Sequence, residues 1–278
     1  MPAPKSLKKL FANRSGEKTV LAFRNIPLLN RVAIACMPLH SFYQNDTFRI
    51  VNRNGINYQL DLSDWVEWNL YFKNNLNPEE KLFELVKDGM TVIDIGANIG
   101  ELTLNFAKRV GANGKIFSFE PSPINFQKCE RNISLNENLK NNITLFNLAL
   151  GEKEGTAYLQ TRDEHNLGMN AIGEIGVEVQ MKTLDTVVLE NKIQKCGLIK
   201  MDVEGFELKV LKGAAKTISD FKPILFMEMN NELLLRQGDS VSDLLYWLKQ
   251  HQYKVVDPVL NESEFLKGHY DIVAIPDS

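Results

Sequence analysis

Val92-Ile-Asp-Ile-Gly-Ala-Asn-Ile-Gly100 decides the fold of this chain. An apolar run of strand length ends in a glycine-bearing loop, which leads straight into a helical stretch with Leu102, Phe106 and Val110 on one face. Glycines stand where the backbone must turn sharply and approach a ligand, so Gly96, Ala97, Asn98 and Gly100 read as a nucleotide-type loop. The next apolar run, Ile116-Phe-Ser-Phe119, ends at Glu120 and Pro121, with Glu120 lying 20 residues beyond Gly100. At that spacing an acidic side chain can accept from both ribose hydroxyls of a bound nucleoside. The plain alternative is a solvated acid at a strand end.

Working outward, the same alternation of short apolar runs and helical stripes continues to the end of the sequence. Further strands are expected at Ile143–Phe146, Leu198–Met201, Ile224–Met227, Lys254–Val256 and Ile272–Ile275, which makes seven with the two above. Helical faces lie between them, on Leu82, Phe83 and Val86, on Phe126, Cys129 and Ile133, on Leu208, Leu211, Ala215 and Ile218, and on Val241, Leu244, Leu245 and Leu248. Continuous apolar strands alternating with helices predict an α/β, doubly wound, mostly parallel sheet covered on both faces. The stretch 151–183 interrupts the pattern with repeated glycines and the alternating Val177, Val179 and Met181, and is expected to form an inserted loop with edge strands over the ligand end of the sheet.

Before residue 75 the pattern differs. Phe48 to Leu62 reads as a hairpin turning at Asn54-Gly55, and Ser63 or Asp64 can cap a helix from Trp65 to Phe72. Asn74, Asn75, Asn77 and Pro78 then break the chain. The expected organisation is a small α+β extension over residues 1–75 and an α/β domain over 76–278.

Composition sets limits on function. The chain has 278 residues, 44% of them hydrophobic and 24% charged, with 32 basic and 35 acidic side chains and a net charge of −3. That balance offers no long-range field to gather nucleic acid. Three widely spaced cysteines, Cys36, Cys129 and Cys196, argue against a disulfide framework or a structural zinc site. The most apolar short run, Val32 to Leu39, is too short to span a bilayer, so a cytoplasmic protein is expected. Lys5, Lys8, Lys9, Arg14 and Lys18 make the first segment basic, and it reads as a solvated, frayed terminus, the alternative being a basic amphipathic arm that touches membrane or a partner.

The loop chemistry narrows the cofactor. A pyrophosphate cradle needs Gly-x-Gly-x-x-Gly, and Asn98 and Ile99 stand where that pattern needs close backbone approach. A nucleoside with an amino-acid tail would suit Asp94 through its ammonium, with backbone amides and Asn98 serving its carboxylate; S-adenosylmethionine has that shape. The motifs Val92 to Gly100, Phe119-Glu-Pro-Ser-Pro123, Leu148-Ala-Leu-Gly151, Thr183-Leu-Asp185, Ile199-Lys-Met-Asp-Val-Glu-Gly-Phe-Glu207 and Val210-Leu-Lys-Gly213 together resemble the FkbM-type S-adenosylmethionine-dependent methyltransferases. The resemblance covers roughly residues 60–230. It implies a class I, Rossmann-like methyltransferase fold with the last strand inserted antiparallel, S-adenosylmethionine over Gly96, Asn98 and Gly100, its ribose on Glu120, and its adenine near Asn147 and Ala149. It also implies a hydroxyl acceptor on a sugar, polysaccharide or natural-product building block. The chain departs from the family where a Tyr-Glu pair often precedes the first core helix, since it has Asn75-Leu-Asn-Pro-Glu-Glu80 there.

Methyl transfer to a hydroxyl needs in-line placement and removal of a proton. Lys200, Asp202 and Glu204 alternate on one extended segment and so share a face, with Asp202 the lead candidate for the base. Asp202 could instead cap the helix after Gly205, with Glu204 and Glu207 complementing its dipole. Lys200 within an apolar strand requires a carboxylate partner. Glu228, at the end of the neighbouring strand, could share a divalent cation such as magnesium with Asp202, and no metal-ligand set is otherwise legible. His40, His165, His251 and His269 read as exposed loop histidines. A nicotinamide-dependent oxidoreductase and a catalytically silent scaffold on the same fold remain as alternatives.

Overall fold

The computed structural model describes residues 3–72, 80–160, 170–260 and 262–277. Those up to residue 72 and those from residue 80 onward belong to two compact units. The boundary expected near residue 75, and His165, lie outside the described residues.

The first unit opens with three short helices, α1 (Lys5–Leu10), α2 (Arg14–Arg24) and α3 (Asn30–Cys36), where the basic composition led us to expect a frayed terminus. Two features oppose fraying. The Asn13 side chain caps α2 by accepting from the Gly16 amide at 3.1 Å, and α2 packs on α3 with Val20 and Ala33 buried. β1 (Phe48–Arg53) and β2 (Ile56–Asp61) pair antiparallel about Asn54 and Gly55, whose φ values of 50° and 80° give the turn that Asn-Gly predicts. α4 (Trp65–Phe72) starts under Asp64, whose carboxylate accepts from the Val66 and Glu67 amides at 2.9 and 3.1 Å. Of the two candidate caps, Asp64 is the one used.

The second unit runs α5 (Glu80–Leu85), β3 (Thr91–Ile95), α6 (Glu101–Val110), β4 (Lys115–Phe119), α7 (Pro123–Ser134) and β5 (Ile143–Phe146). Four short strands follow, β6 (Ala149–Leu150), β7 (Gly155–Gln160), β8 (Ala171–Gly173) and β9 (Val177–Lys182). Next come α8 (Leu184–Glu190), β10 (Leu198–Met201), α9 (Glu207–Gly213), α10 (Ala215–Phe221), β11 (Ile224–Asn230) and α11 (Asn231–Arg236). The unit ends with α12 (Val241–Gln250), β12 (Tyr253–Asp257), α13 (Glu262–Phe265) and β13 (His269–Pro276).

Seven strands form one sheet in the order β12-β13-β11-β10-β3-β4-β5, and they are the seven the apolar runs predict. All neighbours are parallel except at β13, which lies antiparallel to both β11 and β12. Every residue of β3 and β10 is buried, which is why these strands read as apolar runs without alternation. From β3 the chain steps outward to β4 and β5, then returns to lay β10 on the opposite side of β3. Connections diverge at such a switch point and leave a crevice beyond the carboxyl ends of the strands. That crevice positions the site.

Two expectations are corrected in this unit. The 151–183 stretch does not extend the main sheet; it belongs to a separate four-stranded sheet of order β6-β9-β7-β8. β7 buries one face only, with Ala157 and Leu159 inward and Tyr158 outward, and the small core of Ala149, Ala157, Leu159 and Val179 meets the main core through Ile172 and Met181, which pack against both. The helical face over Leu208, Leu211, Ala215 and Ile218 is shared between α9 and α10, which break at Ala214 beside Gly213. A Cβ on Gly213 would lie 1.9 Å from the Gly151 carbonyl oxygen, so this contact with the small sheet requires glycine.

Candidate active site

The loop after β3 turns through three residues at positive φ, Gly96 at 82°, Asn98 at 49° and Gly100 at 86°. A side chain on Gly96 would meet the backbone of Asp202, whose carbonyl oxygen lies 2.0 Å from the Cβ position. Close approach of the loops after β3 and β10 thus depends on that glycine. The loop amides are committed within the protein: Gly96 and Ala97 donate to the Phe119 carbonyl at 3.0 and 2.9 Å, Asn98 to Glu120 Oε2 at 2.7 Å, and Gly100 to the Ala97 carbonyl at 2.8 Å. These four are therefore not open donors for the ligand carboxylate that backbone amides and Asn98 are expected to serve.

Glu120 is not a solvated acid. It is 5% exposed, and its second oxygen accepts from the Ser122 amide at 2.9 Å. Burial pushes its carboxyl up to about 7, against the opposing pull of the two amides. A carboxylate has about four acceptor positions, so two remain on Glu120 after these bonds. Asn147 braces the strand end, its Nδ2 donating to the carbonyls of Glu120 and Pro121 at 2.8 and 3.1 Å. Asn147 itself is exposed, whereas the Ala149 side chain is buried in the small core, so any ligand contact at position 149 falls to the backbone.

Asp94 and Lys200 sit side by side in the β3–β10 register, with Ser118 level on β4. Thr103 of α6 donates to Asp94 Oδ2 at 2.6 Å and lies 3.0 Å from the Ser118 hydroxyl. The Lys200 ammonium donates to the Gly96 carbonyl at 3.1 Å and stands 3.6 Å from Asp94 Oδ1 and 3.8 Å from Asp202 Oδ2. Lys200 therefore has the carboxylate partner its burial demands, and it links the ends of β3 and β10. Asp94 is fully buried in this row, which corrects its expected direct contact with a ligand ammonium.

Beyond β10 the alternation breaks. Asp202 is the open carboxylate, with 53% of its side chain exposed. Glu204 leaves the shared face because it takes φ 54° and, with Gly205 at 98°, reverses the chain. Asp202 does not cap α9. No side chain caps α9; Glu207 instead braces the turn before it, its Oε1 accepting from the Val203 and Gly205 amides, each at 3.3 Å, and burial pushes its carboxyl up to about 7.

The β10–β11 register ends at Met201 and Met227, so Asp202 and Glu228 follow at the same level. Glu228 is pushed up to about 8, first by burial and then by Asp202, Glu207, Glu204 and Asp271. Its Oε1 is 2.6 Å from His269 Nε2, and its buried Oε2 has no hydrogen-bond partner. Two expectations fall here. His269 is a strand residue paired with an acid, and Glu228 turns toward it instead of completing a cation site with Asp202. Among the described residues no group of three or more His, Cys, Asp or Glu side chains could hold a metal ion, so magnesium has no ligand set. His251 stacks on Trp247 at 3.7 Å.

Sequence reasoning missed Thr103, Ser118 and His269 as partners of site residues. His269 carried no usable signal, because it meets Glu228 from a distant strand.

Comparison with known proteins bears on this geometry. A family profile described as the methyltransferase FkbM domain matches residues 94–255. Methyltransferase sdnD of Sordaria araneosa is 29% identical over 155 residues, which cover 44% of this chain and 59% of that protein. Hexuronic acid methyltransferase AglP of Haloferax volcanii is 25% identical over 139 residues, covering 49% of this chain and 55% of that protein. The chain thus spans little more than half the length of these curated relatives. Among solved structures, the FkbM methyltransferase of Methylobacillus flagellatus KT aligns with a TM-score of 0.45 and 20% identity over 76% of this chain and 54% of that one. Since the matched residues amount to more than half of the sequence and hold the crevice from Asp94 through β11, the chain belongs to the FkbM methyltransferase domain family.

Proposed function

We propose that the chain transfers the methyl group of S-adenosylmethionine to a hydroxyl oxygen of a sugar, polysaccharide or natural-product building block. The observation that carries this reading is Glu120, a buried acid at the end of β4 whose carboxylate is fixed by the Asn98 and Ser122 amides and keeps acceptor capacity for a ribose diol. Residues present fit the nucleoside half of the cofactor: Glu120 for the ribose, and Asn147 with the backbone near Ala149 for the base. The acidic side chains of Asp202 and Glu204 at the mouth suit its cationic half. When bound, the cofactor supplies an electrophilic methyl group on a sulfonium.

In this reading the chain's own residues do three things. Lys200 holds the Gly96 loop against Asp94 and Asp202, which makes it a positioning residue. Asp202, open at the mouth, accepts the proton of the acceptor hydroxyl. Glu228, raised to about 8 by burial and its acidic neighbours, keeps its proton at neutral pH beside His269 and leaves the acceptor's proton to Asp202. The nicotinamide alternative is disfavoured because the loop amides that would take a pyrophosphate are bound to Phe119, Glu120 and Ala97.

The sugar class is supported by the name of the AglP relative, a hexuronic acid methyltransferase. Incubation with methyl-labelled S-adenosylmethionine and a panel of uronic acids, neutral sugars and hydroxylated polyketides tests it. Label on a hydroxyl of one class supports the proposal; label on nitrogen or carbon acceptors alone contradicts the oxygen assignment.

A further inference from the structure

The three N-terminal helices combine two properties that do not follow from the methyltransferase reading. The first is exposed apolar surface. Leu10 is 70% exposed at the end of α1, Leu28 is 90% exposed in the turn between α2 and α3, and Val32 and Ile34, both 52% exposed, flank the buried Ala33 of α3. Single exposed apolar residues are ordinary, but a turn tip normally carries polar ones. These side chains fall within one short, packed helical unit.

The second property is charge. Residues 3–36 carry seven Lys or Arg and one acid, a balance of +6, in a chain whose net charge is −3. Lys5, Lys9, Arg14, Lys18 and Arg31 are exposed. The one acid is withdrawn from the surface: Glu17 is fully buried and accepts from Arg49 Nε and Nη2 at 2.7 and 2.8 Å. Thus, among the described residues, no ion pair offsets the exposed positive charge of the helices.

Short helices with exposed Leu, Ile and Val beside uncompensated lysines and arginines have the composition of segments that lie in a membrane interface. No helix among the described residues is long and apolar enough to cross a membrane, so the contact is peripheral. A nucleic acid would use the charge and leave the apolar side chains in water. A second copy of the chain would set +6 against +6. We propose that α1 to α3 form a docking surface for an anionic phospholipid bilayer, with Leu10, Leu28, Val32 and Ile34 entering the headgroup boundary and the basic side chains on the lipid charges.

The test is sedimentation of the full chain with vesicles of phosphatidylcholine alone or of phosphatidylcholine with phosphatidylglycerol. Binding to the anionic vesicles is expected to exceed that to neutral ones by at least about tenfold and to weaken as salt rises. A Leu28→Ser/Val32→Ser variant is expected to bind about tenfold more weakly, and a Lys5→Ser/Lys9→Ser/Arg31→Ser variant to lose the lipid-charge dependence. Both should keep the wild-type thermal midpoint, because all five positions are exposed. Absence of binding, equal binding to both vesicles, or variants that bind like wild type would overturn the proposal. So would a dimer in sedimentation equilibrium that disappears in the Leu28→Ser/Val32→Ser variant, which would assign the face to a second copy. None of these readouts depends on methyl transfer, so failure here leaves the proposed reaction untouched.

Discussion

The Asp202 carbonyl oxygen lies 2.0 Å from where a Cβ on Gly96 would stand, so the loops after β3 and β10 touch through a position only glycine can fill. Gly96 also has φ 82°, which disfavours any side chain independently. Gly96→Ala is therefore expected to destabilise the protein by more than about 3 kcal/mol, from strain and from forced separation of the two strand ends. The urea midpoint measures it; a shift within error of wild type would mean the two loops can part without loss.

Lys200 is predicted to matter first for folding. Replacing it with Met leaves Asp94, fully buried, without the ammonium 3.6 Å away. Removing one partner of a buried pair costs about 3–5 kcal/mol. Chemical denaturation of Lys200→Met reads this directly, and near-wild-type stability would show that Thr103 alone satisfies Asp94.

Asp202 should behave in the opposite way. Its side chain is half exposed and caps no helix, so Asp202→Asn should leave the urea midpoint unchanged. In the proposed reaction its loss lowers kcat by about 100-fold or more while cofactor affinity holds. Wild-type turnover in this variant would show that Asp202 does not accept the proton.

Glu228 gives a pH signature. Its carboxyl is raised from an ordinary 4.5 to about 8 by burial and by Asp202, Glu207, Glu204 and Asp271, with His269 its hydrogen-bonded neighbour. The folded protein then holds this proton more tightly than the unfolded chain, so stability falls as pH rises through the window from about 4.5 to about 8. Glu228→Gln removes that titration. Its stability relative to wild type should improve by on the order of 1–3 kcal/mol between about pH 5 and about pH 8, as read by denaturation at the two pH values. A difference independent of pH would show that Glu228 ionises without penalty.

How far the sequence could be read depended on the range of the forces involved. Seven short apolar runs bounded by helical stripes predict the main sheet because strands covered by helices are predominantly apolar. The Asn54-Gly55 turn and Glu120 were equally local, the one set by φ and the other by spacing from Gly100. The small sheet failed for a different reason, since alternation in Val177, Val179 and Met181 identifies a strand but not its partner.

Glu204 was misplaced because alternation was extended one residue too far, into a left-handed turn that Gly205 already signalled. The His269–Glu228 pair joins residues that only the antiparallel β11–β13 register brings together, with Asn230 opposite His269. No short-range pattern encodes it.

The account rests on the crevice binding an S-adenosyl nucleoside through Glu120, and calorimetric titration tests that most directly. Wild-type protein should saturate with S-adenosylhomocysteine and not with NAD, and Glu120→Ala should lose about tenfold to 100-fold in affinity, the worth of hydrogen bonds to a charged acceptor. Saturation with NAD instead, or unchanged S-adenosylhomocysteine affinity in Glu120→Ala, would contradict it.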